Sequence, residues 1–188
     1  TMAFAAFTAG AFMAGVSGWL LARKRHEEVL KPTLKLGLVT VLVSFLIVGV
    51  TGDWSARVMT EQQPMKMAAA EALYDTQNGA PFSLLTIGTL DGSKSIFQIG
   101  VPKFLSFMST GNFNGTVEGI NNLQAKYVEE YGPGNYKPNI PLAYWGFRLM
   151  IGFGAIAFIF ALMTVYRLRK GAVPTSRWFV PAMVSMPF

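Results

Sequence analysis

The sequence predicts an all-α fold: a polytopic membrane helix bundle with a long extracytoplasmic loop that contains short helices. Three observations carry this expectation. Hydrophobic residues make up 52% of the 188-residue chain and charged residues only 14%, with a mean hydropathy of +0.37. Three apolar runs, residues 1–22, 34–51 and 142–166, reach or nearly reach the ~20 residues that span a bilayer. Charge is also shared unequally among the segments that join these runs.

The first span, 1–22, carries Gly10, Ala14 and Gly18 at four-residue spacing, a stripe that lets another helix approach closely. Phe4, Phe7 and Phe12 occupy its other faces, and ordinary helix packing accounts for all of them. The connection 23–33 is basic, with Arg23, Lys24, Arg25 and Lys31 against Glu27 and Glu28. The second span, 34–51, is rich in β-branched residues, which lipid accepts provided every backbone group bonds within its own segment. After the third span, 142–166, the connection 167–177 holds Arg167, Arg169, Lys170 and Arg177 and no acid. Residues 52–141 instead mix Lys and Arg with Asp53, Glu61, Glu71, Asp75, Asp91, Glu118, Glu129 and Glu130. The excess of Lys and Arg therefore puts the two short connections in the cytoplasm and 52–141 outside. Residues 178–188 begin a further span.

The net charge of +6 reflects this topology. Nucleic-acid binding would need basic residues gathered on one soluble face, so lipid is the expected surroundings and nucleic acid is not a partner. The absence of cysteine excludes disulfides and thiolate metal sites. Thr1 opens directly onto an apolar run and the last residues lie within another. We therefore read the chain as an internal piece of a longer membrane subunit.

Past Gly52-Asp53-Trp54 the chain turns polar and runs Glu61-Gln62-Gln63-Pro64-Met65-Lys66-Met67-Ala68-Ala69-Ala70-Glu71-Ala72. Pro64 suits a first helical turn, and the alanines are strong helix formers, so a helix over 63–74 is expected. Lys66 and Glu71 lie about 140° apart around it, too far to pair with each other. Left available at the mouth of a span, a lysine and a carboxylate suit a polar head group and its proton. On spacing alone, a solvated surface helix explains the same residues.

The remainder of the loop reads as turns at 79–82 and 90–95, a short apolar patch at Phe104–Met108, and a second helix over 117–127. The patch lies back on the membrane surface or caps a site. Gly132-Pro133-Gly134 makes a turn, and 137–141 returns the chain to the bilayer.

Gly-Asp followed by Gln-x-x-Lys-Met-Ala-Ala-x-Glu-Ala after a membrane helix resembles the start of the quinol-binding loop in subunit I of cytochrome bd-type oxidases. The later residues Ile99-x-x-Pro102-x-x-Leu105-Ser106-Phe107 and Val117-x-Gly119-Ile120-Asn121 resemble the second half of that loop. In the family the lysine and glutamate of the motif are implicated in quinol binding and oxidation. Carried over, they are Lys66 and Glu71, with Gln63 as a weaker companion.

The third span opens with Tyr144-Trp145-Gly146-Phe147-Arg148-Leu149-Met150-Ile151-Gly152. An arginine in a span costs several kcal/mol unless it pairs or reaches the interface, and this one is near enough to the outer end to do the latter. A methionine there is ordinarily packing. Trp-x-Phe-Arg-x-Met-x-Gly nevertheless resembles the bd-type segment whose methionine is an axial ligand of the low-spin haem b, with the arginine beside that haem. The resemblance makes Met150 an iron ligand and Arg148 a cofactor-binding residue. A thioether ligand raises haem potential, and a guanidinium suits carboxylate propionates.

The second axial ligand is not His26, the only histidine. It sits in the cytoplasmic connection, roughly 20 Å of bilayer away from Met150. The resemblance places that ligand just before Thr1.

The resemblance thus implies part of subunit I of a bd-type terminal oxidase in the respiratory chain of a bacterial plasma membrane. It would oxidise a quinol, menaquinol or ubiquinol, at the outer face and pass electrons through low-spin haem b toward haems that reduce oxygen to water. Those haems, a high-spin haem b and a haem d, would be ligated outside this stretch. Its partners would be the rest of subunit I, subunit II and small accessory subunits. The competing class is a non-redox transporter or scaffold subunit, with Lys66 and Arg148 as interface anchors.

Overall fold

The computed structural model describes residues 2–24, 26–89, 94–171 and 178–187. Arg25, Asp91, Arg177 and the turn at 90–93 lie outside the described residues. In chain order the elements are helix α1 (Met2–Ala22), helix α2 (Glu27–Gln62) and helix α3 (Pro64–Glu71), then strands β1 (Gln77–Asn78), β2 (Phe82–Gly88) and β3 (Ser95–Val101). Helix α4 (Phe104–Thr110), strand β4 (Thr116–Val117), helix α5 (Ile120–Tyr131), the long helix α6 (Ile140–Arg169) and helix α7 (Phe179–Ser185) complete it. The mostly helical architecture agrees with the expected class. Among the described residues α1, α2 and α6 are long and apolar enough to cross a membrane. The chain divides into two compact units, Thr1–Val50 with Gly152–Phe188, and Thr51–Ile151.

The first unit is packed helix on helix. A Cβ on Gly10 would fall 2.9 Å from the Gly37 carbonyl oxygen, and one on Gly37 would fall 2.8 Å from that of Gly10. The small-residue stripe thus presses backbone against backbone, as its spacing predicts. Further along α1, a Cβ on Gly18 would lie 2.9 Å from Met183 Cγ on α7. Ala11, Ala14, Leu34, Leu38, Val41, Ala161 and Met183 fill the space between.

Two long helices extend beyond the expected spans. α2 has 36 residues, about 54 Å at 1.5 Å per residue, against a hydrocarbon core of ~30 Å. Nothing after Val50 breaks it. Ser55 donates back to the Thr51 carbonyl, Thr60 to that of Ala56, and Asp53 pairs with Arg57 one turn on at 3.2 Å. Pro64 cannot continue the hydrogen-bond ladder, and α2 stops at Gln62. Gly52-Asp53-Trp54, where the long loop was expected to begin, is therefore mid-helix.

In the second unit α3 is shorter than the expected 63–74. Ala72 adopts the left-handed conformation at φ 49°, its N–H bonding Ala69 O while that of Leu73 bonds Ala68 O. This is a Schellman stop at a residue other than glycine. α5 begins at Ile120 rather than Val117, because Thr116 and Val117 are taken by pairing with β1. Gly119 at its N-cap lies against the backbone of Asp75 with no room for a side chain. The hairpin β2–β3 was not legible. A β-bulge at Ser83/Leu85 breaks the alternation by which a strand is read from sequence. The apolar patch forms α4 and buries Leu105 among Met67, Leu73, Ala80 and Val117.

Candidate functional site

Both faces of α3 are used, in different ways. Lys66 is exposed, while Met65, Met67, Ala68, Ala69 and Ala70 are buried. Lys66 and Gln63 line a groove of about 480 Å3 with Trp54, Val58, Met59 and Gln62, all on the last turns of α2. The helical extension of α2 therefore supplies most of the wall. The groove combines an indole ring and apolar side chains with an ammonium and two amides, suiting a flat, mainly apolar molecule that carries polar oxygens.

Glu71 sits elsewhere. It is 2% exposed and paired at 2.5 Å with Arg148 Nη2, whose side chain is 10% exposed. The two residues are 77 positions apart. The rings of Phe82, Tyr144 and Phe147 lie 4.5, 5.0 and 5.4 Å from the guanidinium carbon. Arg148 does not reach outward to an interface, as its position near the end of the span allowed. It turns into the unit, where an opposite charge compensates its burial. Glu71 is likewise not left free for a ligand held at Lys66. Their separation around the helix, correctly read from spacing, puts one group in the groove and the other in the interior.

Burial pushes the Glu71 carboxyl above its ordinary value, and this outweighs the opposing pull of the Arg148 charge and hydrogen bond and of the main-chain N–H of Ser83. The carboxyl is thus biased toward holding a proton, and Arg148 keeps that bias in check.

The end of α3 is fixed from α5. The N–H groups of Ile120 and Asn121 donate to the carbonyls of Leu73 and Tyr74, at 2.9 Å each. Thr76 N–H donates to Asn122 Oδ1, and Gly119 N–H donates to Thr76 Oγ1. Residues 73–76 are stitched down immediately after Glu71, which limits where its carboxylate can go.

Arg148 retains two buried donor positions, Nε and Nη1, with no acceptor. Unmet charged donors of this kind fit an acidic group such as a propionate. Met150 is 50% exposed, so its thioether is not consumed by packing within the chain. Each of these features taken singly fits the haem that the motif implies. The two side chains do not share a face, being about 200° apart around α6. His26 precedes α2, and no group of three or more His, Asp or Glu able to hold a metal ion occurs among the described residues.

Trp54, Gln62 and Tyr144 were not singled out in the sequence. Trp54 and Gln62 could not be, because the helix that presents them was read as a loop. Tyr144 carries a readable signal, standing one turn before Arg148 on the same face of α6.

Membrane-length helices joined to a unit that encloses an ion pair and lines an amphipathic groove define a polytopic membrane protein. Comparison with known proteins refines that class. Residues 1–188 match the cytochrome bd terminal oxidase subunit I family in full, and the chain belongs to that family. It is 36% identical to the cytochrome bd ubiquinol oxidase subunit 1 of Bacillus subtilis (strain 168) over 98% of this chain and 41% of the relative. It is 22% identical to the cytochrome bd-II ubiquinol oxidase subunit 1 of Escherichia coli (strain K12), over 96% of this chain and 46% of the relative. In structure it resembles the bd oxidase of Geobacillus thermodenitrificans with a TM-score of 0.81 at 22% identity, over 98% of this chain and 40% of that one. The chain thus spans less than half the length of these relatives.

Proposed function

We propose that this chain is the quinol-oxidising part of subunit I of a bd-type terminal oxidase. The observation that carries the reading is the groove in which Lys66 and Gln63 come together beside Trp54. A quinol head group lies in it, its ring against the indole and its oxygens toward the amides and the ammonium. Lys66 hydrogen-bonds one oxygen and stabilises negative charge as it develops there. Glu71 receives a proton released by oxidation, a task for which a carboxyl with a raised pKa is suited. One head group does not touch both residues across α3. The division is between a binding face and a proton-holding face. Protonating Glu71 removes the charge that holds Arg148, so proton uptake and the Arg148 pair are linked.

Met150 would offer a soft thioether donor to a haem b, and Arg148, with its unmet donors, would accommodate an acidic substituent of it. When bound, the haem supplies one-electron acceptance between quinol and the oxygen-reducing haems of the full subunit. Residues 52–141 face the outside of a bacterial plasma membrane, with the rest of subunit I, subunit II, accessory subunits and lipid as neighbours. An impermeant thiol reagent should label a cysteine placed at the exposed Ser95 in intact cells. Labelling only after the membrane is breached would reverse this topology.

The test is steady-state quinol oxidation by Lys66→Ala and Glu71→Gln in the full oxidase. Lys66→Ala should chiefly raise KM and leave the haem spectrum unchanged. Glu71→Gln should lower kcat by roughly 10–1000-fold. Unchanged turnover in both variants would leave α3 a purely structural helix and place the quinol site elsewhere. The transporter or scaffold alternative has no observation in its favour. A reduced-minus-oxidised spectrum lacking haem bands would be needed to revive it.

A further inference from the structure

The β2–β3 hairpin is amphipathic in the opposite sense to a strand pair that faces water. Its register sets Phe82 opposite Val101, Leu85 opposite Ile99 and Ile87 opposite Phe97, three apolar pairs on one face. Among the described residues nothing covers that face: Val101, Ile99, Ile87 and Phe97 are 41–49% exposed. Phe104, packed edge-to-face on Phe82, extends it. An antiparallel pair with one buried face ordinarily turns its polar residues outward. Here they are turned in.

A cluster of hydroxyl groups decides which face is inside. The hydroxyl of the buried Tyr144 is 2.8 Å from Ser83 Oγ and accepts the main-chain N–H of Thr86 at 2.6 Å. Ser83 Oγ lies 2.5 Å from Thr86 Oγ1, and both residues are buried. Residues i and i+3 of a regular strand point to opposite faces, so these two would not share one phenol. Ser83 pairs with Gly100 and Leu85 with Ile99, which leaves Leu84 as the extra residue of a bulge that brings them together. With Ser83 and Thr86 held to α6, the apolar pairs are left outside.

The same contacts set the level of the hairpin along α6. Tyr144 and Arg148 fall within the first two turns of the apolar run that opens at Leu142. The Phe82 ring is 4.5 Å from the guanidinium carbon of Arg148, while Ser83 and Thr86 meet Tyr144, one turn nearer the start of the helix. β2 therefore climbs beside the opening turns of the run toward its polar end, and β3 returns. The base of the hairpin, Phe82 with Val101, is the end nearer the hydrocarbon, and the tip at Ser95 is the end nearer water. Trp145, partly exposed at this level, is of the type that collects at membrane interfaces. Lys94 and Lys103, both exposed, bracket β3, and lysine stems lie on apolar surface while their ammonium groups reach for phosphates.

We propose that the outward face of the β2–β3 hairpin is a membrane anchor, lying in the interfacial layer against lipid headgroups and the upper acyl chains. Its six paired side chains offer no hydrogen-bonding group, which suits acyl chains, whereas a protein interface carries directed bonds across its area. The main-chain groups on the outer edges of the pair stay within the wet headgroup layer, because hydrocarbon would leave them unsatisfied. Burial of this depth is that of an interfacial element, about 5–10 Å into the boundary between headgroups and chains.

The test uses the full oxidase in phospholipid nanodiscs, its native reactive cysteines replaced. Single spin-labelled cysteines are placed at Val101, Ile99 and Phe97, at Ser95 on the tip, and at the exposed Glu129 on α5 as a reference in water. Relaxation of each label by molecular oxygen, which concentrates in lipid, is compared with relaxation by a water-soluble nickel chelate. Labels at Val101, Ile99 and Phe97 should favour oxygen. Their depths should decrease in that order by up to about 7 Å per step, the rise of two strand residues. Labels at Ser95 and Glu129 should favour the chelate.

Labels on the face that are shielded from both reagents would overturn the anchor and show that protein covers the hairpin. Labels that favour the chelate throughout would overturn it too, placing the hairpin in water. Should the labelled β3 variants fail to assemble, Ile87→Cys, across from Phe97 on β2, reads the same face and decides among the same outcomes.

Discussion

The two units of this chain solve the burial of their backbone in opposite ways. Thr1–Val50 with Gly152–Phe188 is helix against helix, held where Gly10 meets Gly37 and Gly18 meets Met183 with no room for a side chain. Thr51–Ile151 mixes short helices with a bulged hairpin and is held by directed polar contacts: Glu71 with Arg148, Tyr144 with Ser83 and Thr86, and α5 with residues 73–76. Apolar surroundings offer long helices no hydrophobic gain on meeting, so close packing of small residues takes over. Irregular backbone leaves N–H and carbonyl groups that must each find a partner, and those partners also orient the reactive side chains. The candidate site sits in the unit built from directed bonds.

The sharpest way to break the contrast is Arg148→Leu. It leaves a buried carboxylate without its counter-charge, so the second unit should lose about 3–5 kcal/mol. Amide exchange in α3 and β2 would report it, and exchange in α1 should stay slow. Equal loosening of both units would mean that the ion pair is not local to one of them. In the other unit, Gly37→Leu should cost about 1–3 kcal/mol by forcing α1 away from α2. The denaturation midpoint in detergent measures this, and an unchanged midpoint would show that the close approach can be relaxed freely.

The third prediction concerns pH. Glu71 in the folded chain holds its proton more tightly than the ordinary value of 4.5. Between that value and its raised folded pKa the native state binds more protons than the unfolded one, so stability falls as pH rises through this window. The loss is complete above the folded pKa and absent below 4.5. Mild acidification from neutral pH should therefore raise the amide protection factors around α3, taken relative to the intrinsic exchange rates at each pH, and Glu71→Gln should abolish that dependence. A dependence that persists in Glu71→Gln would assign it to another group.

The smallest effect is expected at Ala72, held left-handed at φ 49°. Ala72→Gly should relieve that strain for a net stabilisation of about 0.5–1 kcal/mol, read as a slightly higher thermal midpoint. A lower midpoint would mean that the buried methyl matters more than the backbone.

Much of the molecule follows from local pattern. Three apolar runs announce the long helices, and the four-residue spacing of Gly10, Ala14 and Gly18 marks the packing face. Pro64 followed by alanines forecasts α3, and the five-residue gap between Lys66 and Glu71 keeps them apart, because helical periodicity and bilayer length act on neighbouring residues. The partner of Glu71 is 77 positions away, and no local rule pairs it with an arginine whose own neighbourhood reads as a membrane span. The groove needed α2 to continue through Gly52 and Asp53, which capping and i,i+4 contacts decide only marginally in the sequence. The hydroxyl cluster needed a bulge, which erases the alternation that would have revealed the strand. Those features depend on which distant groups satisfy one another once the backbone is buried, and only the tertiary structure decides that.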